Sequence, residues 1–274
     1  MTLKLRTKAT VGIAALLVFL LLICTSAVSV LINKQNREAS HELLRKSFTL
    51  ISELISNRQK KLVADSRQMA KMNDKEVINV VKTSESALYS MLKPAYIKIA
   101  EGMYNLTVNA DIEKAAIYDM NGRLIAFCIM DPQGNRRVSI RHKETIESAS
   151  LKQGETLNYD HWKKQDASAG TETTFGKAIP SEELIRFEEV DGSVSLVSYV
   201  PIMGEEYDVN TEKMESKQFG FITAGQRLDD PFVRMLSRLT GMKINIFTRE
   251  GLSAGNIRKY KEYDLRTLGK TGQE

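Results

Sequence analysis

Gly251-Leu252-Ser253-Ala254-Gly255 has the G-x-S-x-G spacing of a nucleophile elbow, in which a sharp turn after a strand exposes a serine hydroxyl for attack. That chemistry needs an acidic residue and then a histidine after the serine. Here His41, His142 and His161 all precede Ser253, and only 19 residues follow Gly255, too few to complete the sheet such an enzyme uses. What remains is a flexible turn after a strand. Gly170 to Lys177 (GTETTFGK) has the outline of a phosphate-cradling loop, but five residues separate its glycines where four are needed, and Ala178 stands where a metal-binding Ser or Thr belongs. The three histidines have no metal-ligand spacing. Cys24 and Cys128 are too few for a disulfide framework or a tetrahedral zinc site, and no C-x-x-C occurs. The sequon Asn105-Leu106-Thr107 falls in a helical stretch and is incidental. The sequence therefore predicts no catalytic residues, no metal and no cofactor.

If the chain does no chemistry, its charge is the next clue to a partner. The formal net charge is +5 and the pI about 9.0, a balance that nucleic-acid binders share. The distribution says otherwise. Residues 1–8 carry +3, residues 9–33 carry none, residues 34–110 hold 13 basic against 8 acidic, and residues 111–274 hold 23 basic against 26 acidic. The globular part is mildly acidic, so nucleic acid is not an expected partner. At 42% hydrophobic and 27% charged residues the chain can bury a core, and its length allows one or two domains.

The elements that would position any site begin with a membrane anchor. From Ala9 to Ile32 no residue is charged, and GIAALLVFLLLIC is dense in Leu, Val, Ile and Ala. At about 1.5 Å per residue such a helix crosses a hydrocarbon core of about 30 Å. A cleaved signal peptide is the competing reading, with Thr25-Ser26-Ala27 a weak small-x-small site. Lys4, Arg6 and Lys8 put the N-terminus in the cytoplasm by the positive-inside rule, so everything after Ile32 is expected outside it. Cys24 reads as an apolar filler within the span.

From Lys34 to Met72 neither Gly nor Pro occurs, and Leu44, Phe48, Ile51, Ile55, Leu62, Met69 and Met72 recur with heptad-like spacing, interrupted by Arg58 and Asp65. This predicts a long stalk helix packed against a neighbour. Asn73-Asp74 reads as the N-cap of a second helix, which Pro94 kinks or restarts before it runs to about Asn109. At Asp111 the texture turns to short β-like runs. Glu113 to Tyr118 and Arg123 to Met130 flank Asp119-Met120-Asn121-Gly122, a hairpin signal. Residues 138–175 read as a polar stretch with a short helix near Lys143 to Ser150. Ser193 to Ile202 and Lys217 to Leu228 read as strands separated by an acidic loop from Gly204 to Glu215. Asp229-Asp230-Pro231 opens a helix that Gly241 ends, and Lys243 to Thr248 is the last strand. The expected fold is α+β, an antiparallel sheet lying on the preceding helix.

The long helix, then IEKAAIYDMNGRLIAF, ELIRFEEVDGSVSLVSYVPI and FGFITAGQRLDDPFVRMLSRLTGMKINIFTREG, resembles the extracytoplasmic Cache-type (PAS-like) sensor domains of bacterial chemoreceptors and sensor histidine kinases, over about residues 34–255. With the apolar run, the resemblance divides the chain into a cytoplasmic N-terminus (1–8), a transmembrane helix (9–32), a helical stalk (33–110), a PAS-like sensor domain (111–255) and a tail (256–274) that reads as truncated. It also implies single-pass anchoring in the bacterial inner membrane, a homodimer through the stalk, and a small-molecule ligand. Such sensors bind ligands in a concavity between the sheet and the segments crossing it, where rings give shape and an arginine grips a carboxylate. On that basis Tyr118, Phe127, Trp162, Phe175, Arg186 and Tyr199 are the candidate ligand-binding residues. An anchored dimeric scaffold without ligand, and less favourably an anchored hydrolase, are the alternatives.

Overall fold

A computed structural model describes residues 2–84, 86–143, 145–165, 174–190, 192–209 and 211–257; the side chains of residues up to 18 and of Leu20, Tyr159 and Gln165 fall outside that set. The tail after residue 257 and Gly170 of the glycine-flanked segment also lie outside the described residues. The elements are α1 (Thr2–Thr83), α2 (Tyr89–Asn109), β1 (Lys114–Asp119), β2 (Leu124–Met130), β3 (Arg136–His142), β4 (Thr145–Leu151), a single 3-10 turn at Tyr159–His161, β5 (Lys163–Gln165), β6 (Leu184–Val190), β7 (Ser193–Asp208), β8 (Lys213–Arg227), α3 (Asp230–Thr240), β9 (Asn245–Phe247) and β10 (Leu252–Gly255). The fold is α+β, with a long N-terminal helix and a large antiparallel sheet.

The chain divides into two compact units, Met1–Leu54 and Ile55–Glu274. The first is helical. Every described side chain from Phe19 to Lys46 is exposed, the apolar Phe19, Leu21, Val30 and Leu31 among them. The Thr25 hydroxyl is satisfied within the helix, donating to the Leu21 carbonyl at 2.8 Å. Among the described residues no helix is long and apolar enough to cross a membrane. The first half of the apolar run from Ala9 to Ile32 has its side chains outside that set.

In the second unit eight strands form one sheet in the order β5-β4-β3-β2-β1-β8-β7-β6. Two turns of the same design set its middle. In Asp119-Met120-Asn121-Gly122-Arg123, Asp119 Oδ1 accepts from the backbone N–H groups of Asn121 and Arg123, both at 2.8 Å. In Asp131-Pro132-Gln133-Gly134-Asn135, Asp131 Oδ1 does the same for Gln133 (2.9 Å) and Asn135 (2.8 Å). Both turns need a left-handed residue, and Gly122 (φ 71°) and Gly134 (φ 85°) supply it. The turns place β1, β2 and β3 side by side in fixed register.

Alternation then gives the sheet two faces. Ile117, Cys128, Ile140, Ser198 and Ile222 point to the helices and are at most 1% exposed. Helix α2 lays Tyr96, Ile99, Met103 and Leu106 on this face. Helix α1 buries Leu62, Ser66, Met69, Asn73, Val77 and Val80, a stripe repeating every three or four residues. It is tied to the far half of the sheet by Ser66 Oγ to Ser198 Oγ at 2.6 Å, and by Arg58 Nε donating to Gln226 Oε1 at 3.1 Å. The Arg58 guanidinium also lies 4.6 Å above the Phe232 ring of α3. Helix α3 starts at a true cap, Asp229 Oδ1 accepting from Phe232 N at 2.9 Å, and ends at Gly241.

Several expectations are corrected. The stalk helix does not break at Asn73, because nothing there interrupts it: Asn73 is buried, donates to the Met69 carbonyl at 2.9 Å, and abuts Gly102 of α2. The break falls after Thr83, and Pro94 sits inside α2 near its start. The short helix expected near Lys143 to Ser150 is β4, since seven cross-strand pairs with β3 outweigh its local helical preference. The polar stretch after Val138 thus supplies β3, β4 and β5. Most of the acidic loop from Gly204 to Glu215 is a two-stranded extension of β7 and β8, in which Lys217 Nζ meets Glu206 Oε2 at 2.6 Å across the ribbon. The heptad-like seam is divided: Leu62 and Met69 face their own sheet, Met72 is 49% exposed, and in the first unit Leu44 and Phe48 are exposed. Ser253 is in β10, paired with β9, and not in a loose turn; its hydroxyl accepts from Val194 N at 3.0 Å.

Candidate functional site

The face of the sheet away from the helices holds a groove of about 1300 Å³. Its floor follows from register. One row across the strands reads Ser150, Arg137, Ile129, Lys114, Gly225, Val197 and Arg186, each the cross-strand neighbour of the next. The row beside it reads Ser148, Ser139, Phe127, Ala116, Thr223, Tyr199 and Leu184. Small side chains at Thr223 and Gly225 make the hollow, above Ala116, which is buried beneath it.

The aromatic end is built by packing. Tyr118 and Phe221 stack with centroids 5.2 Å apart, and Phe175 meets Phe221 at 4.8 Å, Tyr118 at 5.4 Å and Tyr199 at 6.0 Å. Phe175 comes from the segment that crosses this face. Its backbone N–H donates to the Gly122 carbonyl at 2.8 Å, and Gln218 Nε2 pins the same segment by donating to the Pro180 carbonyl at 2.9 Å.

The charged groups fall into two kinds. Glu188 accepts from the Tyr199 hydroxyl and from Lys177 Nζ, each at 2.6 Å. Burial pushes its carboxyl up, but the ammonium and the hydroxyl outweigh burial and hold it below the usual carboxylate range. Burial and then that carboxylate raise the Tyr199 phenol well above its ordinary value. Glu113 lies 3.3 Å from Arg227 Nε, and burial, partly offset by Arg227, raises its pKa. Asp131 is held below its ordinary value by the Asn135 side chain, which with the turn's N–H groups outweighs the opposing effect of burial. Lys114 and Arg137 are different: among the described residues neither meets a carboxylate. Arg137 lies with its guanidinium carbon 5.5 Å from the centroid of the Phe127 ring.

Of the six residues expected from sequence, the groove is lined by Tyr118, Phe175 and Tyr199. Phe127 is on the same face but 6% exposed, part of the cluster with Ala116, Tyr118, Leu124 and Phe221 that supports the floor. Arg186 is in the floor's register at the outer strand, exposed and beyond the lining; Lys177 takes the ion-pair place beside Glu188. Trp162 is half-buried between the 3-10 turn and β5, away from the lining. The cations that do line the groove are Lys114, Arg136, Arg137, Lys152, Lys177 and Arg227, none of them among the six. The available signal was the alternation of Arg137, Ser139 and Arg141 with Val138, Ile140 and His142, which marks a strand in what read as a linker.

The family model for the double sensory domain of two-component sensor kinases, a dCache family, matches residues 37–271. No curated protein sequence matches the chain. Among solved structures, the domain of a sensory box/GGDEF family protein from Vibrio parahaemolyticus is 12% identical at a TM-score of 0.27, with 67% of this chain and 64% of that one covered. The extracellular domain of the histidine kinase vpHK1S-Z8 is 12% identical at a TM-score of 0.26, covering 68% and 62%. The sensory domain of a Campylobacter jejuni chemoreceptor, solved with isoleucine bound, is 9% identical at a TM-score of 0.27, covering 82% and 81%. The chain spans less than two thirds of the length of the first two.

Proposed function

Because the chain belongs to the family of double sensory domains of two-component sensor kinases, we propose that it is the ligand-reading, extracytoplasmic region of a membrane receptor with kinase or chemotaxis output. The observation that carries this is the groove, with its aromatic end and cationic floor, on the side of the sheet that the helices leave open. The apolar run from Ala9 to Ile32 is the anchor, N-terminus inward; exposure of the apolar side chains from Phe19 to Ile32 on every described side supports it. The chain binds and does not transform its ligand. It works as a homodimer through the first unit, where Leu44 and Phe48 are exposed; the stripe beyond Ile55 is spent on the sheet.

Signalling follows from the alternation of β7. Tyr199 faces the groove, while its neighbour Ser198 holds Ser66 of α1, so a ligand that shifts β7 shifts the helix directly as well as through α2. This works only for a ligand whose affinity differs between two arrangements of that contact.

Two experiments test the reading. A reporter that is active only outside the cytoplasm, fused after Gly255, is expected to be active; activity of a cytoplasm-only reporter overturns the topology. For the groove, Gly225→Leu fills the hollow, and a Cβ there meets nothing closer than 3.8 Å. In a thermal-shift screen of organic acids, amino acids and amines, a compound that stabilises the wild type is expected to lose its effect on this variant. A compound that stabilises both equally overturns the groove as the site.

A further inference from the structure

The groove's charges define what it can hold, granted the reading of it as the ligand site. A free amino acid needs a carboxylate for its ammonium as well as a cation for its acid group. The carboxylates on the floor and walls are committed: Glu188 to Lys177 and Tyr199, Asp131 to its own turn, and Glu113 to Arg227. Glu155 and Glu189 are exposed at the rim, and Glu155 already accepts from Lys152 N at 2.8 Å. On the floor the balance is reversed, since Lys114 and Arg137 flank Ile129 in one row and neither is neutralised among the described residues. They stand two strands apart, about 10 Å between backbones, a gap that two long side chains close over Ile129. The Arg137 guanidinium carbon lies 5.5 Å from the Phe127 ring centroid, a contact with the ring's π face that leaves guanidinium N–H groups for a carboxylate.

We propose that the groove takes an apolar carboxylic acid, aryl or branched-chain, that carries no ammonium group. Its carboxylate sits between Lys114 and Arg137, and its apolar body lies over Thr223 toward Tyr118 and Phe175. Two residues of strand separate the Lys114 row from the Ala116 row, about 7 Å, which is the reach from a carboxylate to the ring of a short aryl-alkanoate.

The test uses the full chain in a mild detergent and titration calorimetry. The probes are 3-phenylpropionate and 4-methylpentanoate, against L-phenylalanine and L-leucine, which share their skeletons, and phenethylamine, which has only the cation. The acids are expected to bind at least about tenfold tighter than the matching amino acids, with no binding of the amine. Arg137→Gln and Lys114→Gln should each weaken the acids by about tenfold, and Lys60→Gln, on the exposed side of α1, should leave them unchanged. Equal or tighter binding of an amino acid or the amine, no binding of either acid, or acid affinity untouched by both substitutions overturns the proposal. Amino-acid binding that disappears in Gly225→Leu removes the ligand class and keeps the sensor site; acid binding that survives Gly225→Leu removes the site itself.

Discussion

Ser66 and Ser198 join α1 to β7, the strand that carries Tyr199 of the groove, and their coupling can be worked out from geometry. The two hydroxyls lie 2.6 Å apart, Ser66 Oγ is 2.7 Å from the Leu62 carbonyl, and Ser198 Oγ is 3.3 Å from the Ala224 carbonyl. Two protons therefore have three acceptors. In Ser66→Ala the Ser198 proton turns to Ala224, and in Ser198→Ala the Ser66 proton stays on Leu62. Neither change strands a buried donor, so each should cost only the lost bond, about 0.5–1.5 kcal/mol. The double variant loses that one bond once. Its cost should fall short of the sum of the singles by about 1 kcal/mol. For a domain of this size each kcal/mol moves Tm by about 2–4 °C, so circular dichroism melts of the wild type and three variants resolve the cycle. Singles that sum to the double within about 0.3 kcal/mol would falsify the contact as a coupling between α1 and β7. The double variant should also bind any groove ligand as before while weakening its effect on cross-linking between Phe48→Cys subunits, since the route through α2 remains.

His142 is buried against Tyr96, whose hydroxyl is 3.3 Å from Nδ1, and stacks on Tyr89 at 5.3 Å. Burial, then Lys143, lowers its pKa below the ordinary 6.5, so the unfolded chain takes up the proton first as pH falls. Stability should be flat above 6.5 and decline below it by at most about 1.4 kcal/mol per pH unit; melts of His142→Phe across that range should lack this share of the slope. At Gly220 a Cβ would come 2.3 Å from the Tyr118 carbonyl oxygen in the next strand, so Gly220→Ala must push β8 from β1 and should cost about 1–3 kcal/mol; an unchanged Tm would show that the strands are not so close. Asp229→Ala removes the α3 cap and should cost about 1 kcal/mol, with Asp229→Asn recovering most of it.

Local chemistry wrote much of this fold into the sequence. The Asp119-to-Gly122 turn, the Asp229 cap with Pro231 behind it, the Gly241 stop and the unbroken helical stretch after Lys34 are decided by residues within a turn of each other, and the structure has each where the residues put it. The aromatic candidates Tyr118, Phe175 and Tyr199 rest on the resemblance to sensor domains, and the structure places all three on the lining of one groove. What the sequence could not settle depends on partners far along the chain. Lys143 to Ser150 has helical preferences and becomes a strand because β3 offers it a ladder, and Gly204 to Glu215 has a loop's composition and becomes a ribbon because β7 and β8 continue their pairing. The choice of cation depends on the same thing. Arg186, Arg137 and Lys114 are equally charged on paper, and only cross-strand register puts two of them uncompensated on the groove floor and the third at its outer edge. Register is a property of pairs of strands, so no single stretch of sequence contains it.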